Sequence, residues 1–499
     1  MVTDDPTRPA QPTPSPLATV ARAAGAELSQ AGEVRVTGVT LDSRRVRRGD
    51  LYAALPGARV HGASFAAQAA DAGAAAILTD PTGAESAGRT GLPLVVVDDA
   101  RAVLGSVAAA VYGDPADGLR TIGVTGTQGK TTVTRLIDAG LLGAGVRSAV
   151  VGTVGTRIVG AEVKTALTTP EAPDLHGLFA RMRELDVTAC AMEVSSHALV
   201  MGRVDGVRFD VAVFTNLGRD HLDFHADVED YYAAKASLFT PERARLGLVC
   251  VDDDHGRRLV REATIPVRSY AVDGPADWTV TDIEETADGS RFVVHGPTGQ
   301  RVPAASPIPG RFNIANTLAA VAAAAEAGFP EQLVADAIAG SGGVPGRLER
   351  IPTDRDLTVV VDYAHKPDAV EAVLRTLRPV TRGRLVIVLG AGGDRDRGKR
   401  PVMGEIAARL ADLVVVTDDN PRSEDPAAIR AAVLAGTREG QAEVVEVGDR
   451  RAAITQAITG AGPGDVVVVA GKGHETGQEV AGMVHPFDDR EVVREVLAR

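Results

Sequence analysis

Only two cysteines, Cys190 and Cys250, occur in 499 residues. They cannot build a disulfide framework, and neither stands in a Cys-x-x-Cys or Cys/His spacing that would hold a structural metal. A reducing cytoplasm is the setting this implies. Long apolar runs are missing too. No stretch reaches the roughly 18 to 20 uninterrupted apolar residues of a membrane helix, and the alanine-rich Leu318 to Ala327, which comes closest, reads as a buried helix. Nor is there an excess of basic charge. A net charge of −13 speaks against a nucleic-acid partner, while local Arg and Lys clusters remain able to bind phosphate in an acidic protein. The first residues lack the basic and apolar blocks of a signal peptide. They carry Asp4, Asp5 and a proline-rich run to Pro16, so residues 1–16 read as a disordered tail. Internal repeats are absent.

What is present is the composition of a soluble globular chain, 44% apolar and 24% charged. Its length exceeds one hydrophobic core and predicts about three domains. From Val34 to about Val111, short apolar runs (Leu51 to Leu55, Ala74 to Leu78, Leu94 to Val97) alternate with alanine-rich helical stretches, as in a small α/β unit. Gly113 to Gly118 breaks structure and reads as a linker. A second α/β region extends to about Gly346. The last region carries buried-strand runs at Leu357 to Val361, Leu385 to Leu389, Leu413 to Val416 and Val466 to Val469, separated by helical segments. That alternation predicts a doubly wound, mostly parallel sheet, whose ligands lie beyond the carboxyl ends of the strands. The segments after these runs are Asp362 to His365, Gly390 to Arg400, Asp418 to Arg422 and Gly471 to Glu475. All are polar or rich in glycine.

The most specific motif is Gly123-Val124-Thr125-Gly126-Thr127-Gln128-Gly129-Lys130-Thr131-Thr132, between a short apolar run and a helical stretch from Thr131 to Leu142. Glycines let backbone amides curl around phosphate oxygens, and the helix start adds positive partial charge. Lys130 reaches the terminal phosphates and Thr131 ligates magnesium in such loops. ATP is therefore the expected substrate. Gly123 lies six residues before Gly129 rather than the usual five, which marks a sub-class of phosphate loops.

Three further segments accompany the loop, namely Glu193-Val194-Ser195-Ser196-His197, Asn216 to His221 and Asp362 to His365. Together they resemble the Mur ligase family over nearly the whole chain, and within it the members that add diaminopimelate or lysine. The resemblance implies an α/β protein of three domains, with a central phosphate-loop ATPase-like domain and a C-terminal Rossmann-like doubly wound domain. Residues 17–117 would bind the UDP-sugar, 118–347 ATP, and 348–499 the amino acid. It also implies cytoplasmic peptidoglycan precursor synthesis, in which ATP activates a carboxylate of a UDP-N-acetylmuramoyl dipeptide as an acyl phosphate before an amine displaces phosphate.

The same resemblance assigns residues. Gly126, Thr127, Gln128, Gly129, Lys130, Thr131 and Thr132 would bind ATP, and Asn313, Asn316, Arg347, Asp362 and His365 would complete the nucleotide site. Lys130, Glu193, His221 and Lys235 would be catalytic. Magnesium would take Thr131, Glu193 and His221. Lys235 aligns with a lysine carrying a carbamate, which beside metal ions replaces a repelled ammonium with an anion. Leu41, Ser43, Thr168, Thr169, Ser195 and Arg203 would bind the UDP-sugar. Arg400, Asp419, Asn420, Pro421, Arg422, Gly471 and Glu475 would bind the amino acid. An arginine pairs bidentately with a carboxylate, which the side chain of diaminopimelate has and that of lysine lacks. Asp-Asn-Pro-Arg thus favours diaminopimelate over two relatives with the same nucleotide chemistry, a lysine-adding ligase and a folylpolyglutamate-type ligase. A nucleotide-dependent switch is the remaining alternative, and it needs no set like Glu193, His221 and Lys235. Lys366 stands where many relatives have threonine, and the sequence gives it no task.

Overall fold

Valine- and alanine-rich runs become the buried strands of three mainly parallel sheets. The computed structural model describes residues 5–26, 33–286 and 288–499. By its contacts the chain divides into two units. One comprises Met1–Val280, Val294–Val302 and Asn316–Ala337, the other Thr281–Val293, Pro303–Ala315 and Ile338–Arg499.

The first unit holds two sheets. Gly38–Thr40, Asp50–Ala53, Ala76–Thr79 and Leu94–Val96 pair in parallel, in sequence order. Their core includes Leu51, Leu78, Val95 and Val107, all essentially inaccessible. The eight-stranded sheet runs, in spatial order, 161–163, 156–158, 148–151, 189–193, 120–125, 209–214, 244–250 and 267–270. From 148–151 onward all neighbours are parallel. Strand Arg120–Thr125 is therefore central, buried on both faces, and feeds directly into helix Lys130–Gly143. Val133, Leu136, Ile137 and Leu141 of that helix are fully buried, which anchors its N-terminus at the carboxyl end of the sheet. Of the expected helix at Leu318 to Ala327, all but Ala327 falls in helix Arg311–Glu326, and Leu318 to Ala324 are fully buried.

The second unit has a six-stranded sheet in the order 349–351, 357–362, 465–470, 385–389, 413–416 and 443–446. Only the edge pair 349–351 with 357–362 is antiparallel. Strand Asp465–Ala470, last in sequence, enters the middle, so the loops after 362, 389, 416 and 470 gather at the carboxyl ends of the parallel strands. All four valines from Val466 to Val469 are buried; each contributes about 1.5 kcal/mol or more by leaving water.

Two expectations need correction. Residues 5–16 are not a disordered tail, and residues 1–4 lie outside the described residues. Thr7 and Arg8 are buried, and Arg8 pairs with Asp50 at 2.7 Å and donates to the Val39 carbonyl. The amides of Ala10 and Gln11 donate to Glu184, and Ser15–Pro16 pairs with Arg35–Val36. Proline fixes its own φ and pushes the residue before it toward extended conformations. Such a chain builds no core of its own, yet it lies readily on a surface that offers carboxylates and a strand edge. Gly113 to Gly118, expected as a linker, is a structured turn with Pro115 and Ala116 buried. Among the described residues, no helix is long and apolar enough to cross a membrane.

Candidate active site

At the end of the central strand, Gly126 and Gly129 take positive φ angles of 146° and 84°. Both are required by close approach. A side chain on Gly126 would collide with Thr215 Oγ1, and a Cβ on Gly129 would lie 2.5 Å from Asn316 Oδ1. The loop is laced to the segment after strand Phe209–Phe214. Thr215 Oγ1 donates to the Gln128 carbonyl (2.6 Å), and the Gln128 amide donates to Asn216 Oδ1 (2.9 Å). The Thr127 amide donates to the Asn216 carbonyl, and the Gly218 amide to Thr127 Oγ1. Tyr231 adds its hydroxyl 3.2 Å from Thr127 Oγ1. Gly123 is not part of this loop. It lies within strand Arg120–Thr125, where a Cβ would press on the ring of Phe209 at 2.9 Å. The unusual glycine spacing thus reflects sheet packing added to a phosphate turn that runs from Gly126 to Gly129.

Two lysines converge on that turn. Lys130 Nζ donates to the carbonyls of Gly126 (2.7 Å) and Thr127 (3.1 Å), and the buried Lys235 also donates to Gly126 O (2.8 Å), with its ammonium 4.4 Å from the Tyr231 ring centre. A shared acceptor brings two positive charges close together, an arrangement that an anion stabilises. Thr132, next along the helix, is buried beneath the loop.

Glu193 ends its strand fully buried, one strand over from the loop. Its Oε1 accepts from Thr131 Oγ1 (2.9 Å) and from the Thr153 amide (2.7 Å), and its Oε2 from Thr153 Oγ1 (3.1 Å). Thr153 Oγ1 also meets Thr168 Oγ1 at 3.0 Å. Thr169 Oγ1 donates to the Glu193 carbonyl and accepts from the Ser195 amide, while Ser195 caps helix Ser196–Val200 through Ala198 N. Thr131, Glu193, Thr168, Thr169 and Ser195 therefore form one connected group. Arg203 joins it through the Thr169 carbonyl, with Glu171 as its main partner at 2.9 Å. Leu41 and Ser43 follow strand Gly38–Thr40 of the four-stranded sheet, and Ser43 opens a short turn and donates to Gln68.

His221 holds a left-handed φ of 54° and sets Nε2 3.1 Å from Asp220. Its ring lies 4.8 Å from that of His197 and 6.0 Å from that of Tyr231. Burial, aided by His225, lowers the pKa of His197, which stacks on Phe224. His225 is itself held between Ser196 and Asp230.

In the second unit, the predicted residues gather where the strands end. Asp362 accepts from the amides of Leu348 (2.7 Å) and Ala364 (2.8 Å), and burial raises its pKa against the pull of Arg347. Arg347 stacks its guanidinium 4.5 Å from the Tyr363 ring centre. His365 Nδ1 lies 2.7 Å from the Tyr363 carbonyl; burial, with Lys366 and Lys399, depresses its pKa to about 3. Lys366 thus has an electrostatic effect on its neighbour. Asn313 donates to the Pro309 carbonyl.

Arg400 is buried and held bidentately by Glu424, at 3.1 and 2.8 Å. Arg422 takes a left-handed φ of 53°, donates to the Gly393 carbonyl and lies 3.3 Å from Glu479. Gly471, at φ 116°, brings the chain past Asp419. Asn420 donates to Glu475 at 2.9 Å. Pro421 is buried between these loops. The hairpin Gly477–Val480 and Met483–Pro486 braces the segment, since Gln478 donates to the Asp419 carbonyl and the Arg422 amide to the Glu479 carbonyl.

Sequence reasoning missed Thr153, Tyr231, Glu424, Glu479, Lys472 and Arg450. Arg450 and Asp489 form a fully buried bidentate pair at 2.8 and 2.7 Å, and Arg450 also donates to the carbonyls of Ala470 and Asp418. It ties two strand ends together, and nothing near either residue in sequence announces it. Lys472 lay in view within Gly471 to Glu475; its burial did not.

Three family models match the chain. The Mur ligase middle domain matches residues 124–324, the Mur ligase, glutamate ligase domain residues 346–473, and the Mur ligase family, catalytic domain residues 35–112. A UDP-N-acetylmuramoyl-L-alanyl-D-glutamate–2,6-diaminopimelate ligase of Streptomyces avermitilis is 56% identical over 99% of this chain and 98% of its own. One of the same name from Corynebacterium glutamicum is 50% identical over 95% and 94%. A solved structure with that name superposes with a TM-score of 0.69 at 34% identity, covering 98% of this chain and 99% of its own.

Proposed function

The chain belongs to the Mur ligase family, whose members are ATP-dependent ligases, and we propose the following reading of its site. The enzyme adds 2,6-diaminopimelate to the D-glutamate carboxylate of UDP-N-acetylmuramoyl-L-alanyl-D-glutamate, with ADP and phosphate released, in peptidoglycan precursor synthesis in the cytoplasm. Residues 17–117 serve the UDP-sugar, 118–347 ATP, and 348–499 the amino acid. One observation carries the choice of amine: the segment after strand Leu413–Val416, which bears Arg422, is joined to Glu475, after strand Asp465–Ala470, by the Asn420 amide at 2.9 Å, so that an arginine and a carboxylate are carried on linked loops. A second amino-acid centre offers the matching pair of charges.

The amides of Gly126 to Thr132 and the Lys130 ammonium hold the ATP phosphates. Thr131 Oγ1 and Glu193 Oε1, 2.9 Å apart, are hard oxygen donors beside that loop, of the kind magnesium takes, with His221 as a further ligand. Bound magnesium supplies the positive charge that lets a carboxylate approach phosphate oxygens. Asn316, Arg347, Asp362 and His365 serve the nucleoside. The D-glutamate carboxylate attacks the terminal phosphorus of ATP, ADP leaves, and an acyl phosphate results. The neutral amine then attacks the acyl carbon, the tetrahedral intermediate expels phosphate, and nitrogen loses a proton to leave the amide. Lys235 carries a carbamate in the working enzyme. That change replaces one of the two ammoniums on Gly126 O by an anion and relieves their repulsion. Leu41, Ser43, Thr168, Thr169, Ser195 and Arg203 bind the UDP-sugar.

Incubating the protein with ATP, the UDP-dipeptide and each of diaminopimelate and lysine tests this reading. A tripeptide nucleotide should form from diaminopimelate, with ADP released in equal amount. Lysine used as well or better would overturn the choice of amine.

A further inference from the structure

Lys472 has no task in the mechanism above, yet its side chain is fully inaccessible at the mouth of the C-terminal sheet. Taking an ammonium out of water costs several kcal/mol unless oxygen atoms replace the solvent. Three do so. Lys472 Nζ donates to Asn420 Oδ1 at 2.9 Å and to Glu475 Oε2 at 3.2 Å, and lies 3.5 Å from Asp419 Oδ1.

These contacts fix the atoms around them. Asn420 Oδ1 faces two donors, the Lys472 ammonium and the Glu479 amide at 3.0 Å. Its amide group therefore has one orientation, with Nδ2 donating to Glu475 Oε2 at 2.9 Å. Glu475 Oε2 is thus taken twice, by Asn420 and by Lys472. The other oxygen, on a side chain still 32% exposed, is the one left for a ligand. The charges also count. The nearby cation Arg450 is committed to Asp489. The two cations Arg450 and Lys472 stand against the three carboxylates of Asp489, Asp419 and Glu475, which leaves one carboxylate in excess. A ligand ammonium balances it.

We propose that Lys472 is a positioning residue for the incoming amino acid: its ammonium locks the Asn420 amide and aims the free oxygen of Glu475 at the ligand's ammonium group. The inference rests on the reading that this pocket receives diaminopimelate.

The test compares wild type, Lys472→Met, Glu475→Gln and the double variant at saturating ATP and UDP-dipeptide. Lys472→Met should raise KM for diaminopimelate about tenfold or more and leave kcat and the KM for ATP within about threefold. In the Glu475→Gln background the same substitution should have little further effect, because the group it positions is already lost. ADP binding reports that each variant is folded. Should Lys472→Met not fold, Lys472→Gln keeps a donor toward Asn420 and should give a smaller rise in the same constant. An unchanged KM in a folded variant overturns the proposal, as does a full additional rise in the Glu475→Gln background, or a fall in kcat alone. A wild type that does not use diaminopimelate overturns the functional reading itself, and the wild-type arm shows this separately.

Discussion

The turn at Gly126 to Lys130 and the charged cluster after the C-terminal strands solve the same problem, holding charge in place, by different means. Around Gly126 to Lys130 charged groups meet neutral ones: two lysines share the Gly126 carbonyl, and Glu193 is held by two hydroxyls and an amide. In the C-terminal unit, charges are held by other charges: Arg400 by Glu424, Arg450 by Asp489, Lys472 by Asp419 and Glu475. The chemistry of phosphate transfer is common to many enzymes and fits into one short turn. Choosing an amine requires charges spaced over several ångströms, which one turn cannot span. Paired ions from separate strand ends can.

The comparison predicts where each region breaks. The largest effect belongs to the buried pair. Arg450→Met leaves Asp489 charged and unpaired, and should cost about 3 to 5 kcal/mol in denaturant unfolding of the C-terminal unit, whereas replacing both by apolar residues should recover most of that loss. A single substitution no more damaging than the double would sink the idea that ion pairing organises this region.

Lys130→Met should keep the stability of the protein and lower ligation about 10³-fold in a phosphate-release assay, because the group it removes acts on developing charge. Near-normal turnover in that variant would mean the loop's amides suffice.

Acid should strain both units through imidazoles whose pKa desolvation lowers. His176 donates from Nε2 to the Asp205 carbonyl, and burial lowers its pKa from 6.5 to about 4. Below 6.5 the unfolded chain binds a proton that the folded one refuses until about 4. Stability is therefore complete above pH 6.5 and falls as pH drops toward 4, by about 3 kcal/mol for this residue. His176→Gln should flatten that slope in the first unit while His365 continues to act in the second. Urea unfolding at several pH values reads the difference.

The smallest effect expected is on specificity. Arg422→Lys keeps the charge but loses the planar fork, and KM for diaminopimelate should rise about tenfold with kcat for ATP cleavage retained. Equal KM values would move carboxylate recognition to another residue.

Much of this was legible beforehand. Leu357 to Val361, Leu385 to Leu389, Leu413 to Val416 and Val466 to Val469 are strands because parallel sheets bury both faces and need unbroken apolar runs. The turn from Gly126 to Lys130 was equally plain, since its task depends on neighbours in sequence. Illegible were contacts across long separations. Arg8 finds Asp50, and Arg450 finds Asp489, the latter pair 39 positions apart. Composition marked residues 1–16 as a disordered tail, and missed that residues 5–16 lie on a core built by others.

The amino-acid sequence by itself determined the phosphate turn, the strand runs and the polar segments that follow them, because each is a local matter of backbone freedom and apolar periodicity. Only the tertiary structure decided that Gly123 belongs to the sheet, that two ammoniums meet on one carbonyl, and that Lys472 is buried among three oxygen atoms. Those outcomes depend on which strand lies beside which, and the free energy of a charge depends on what surrounds it in space.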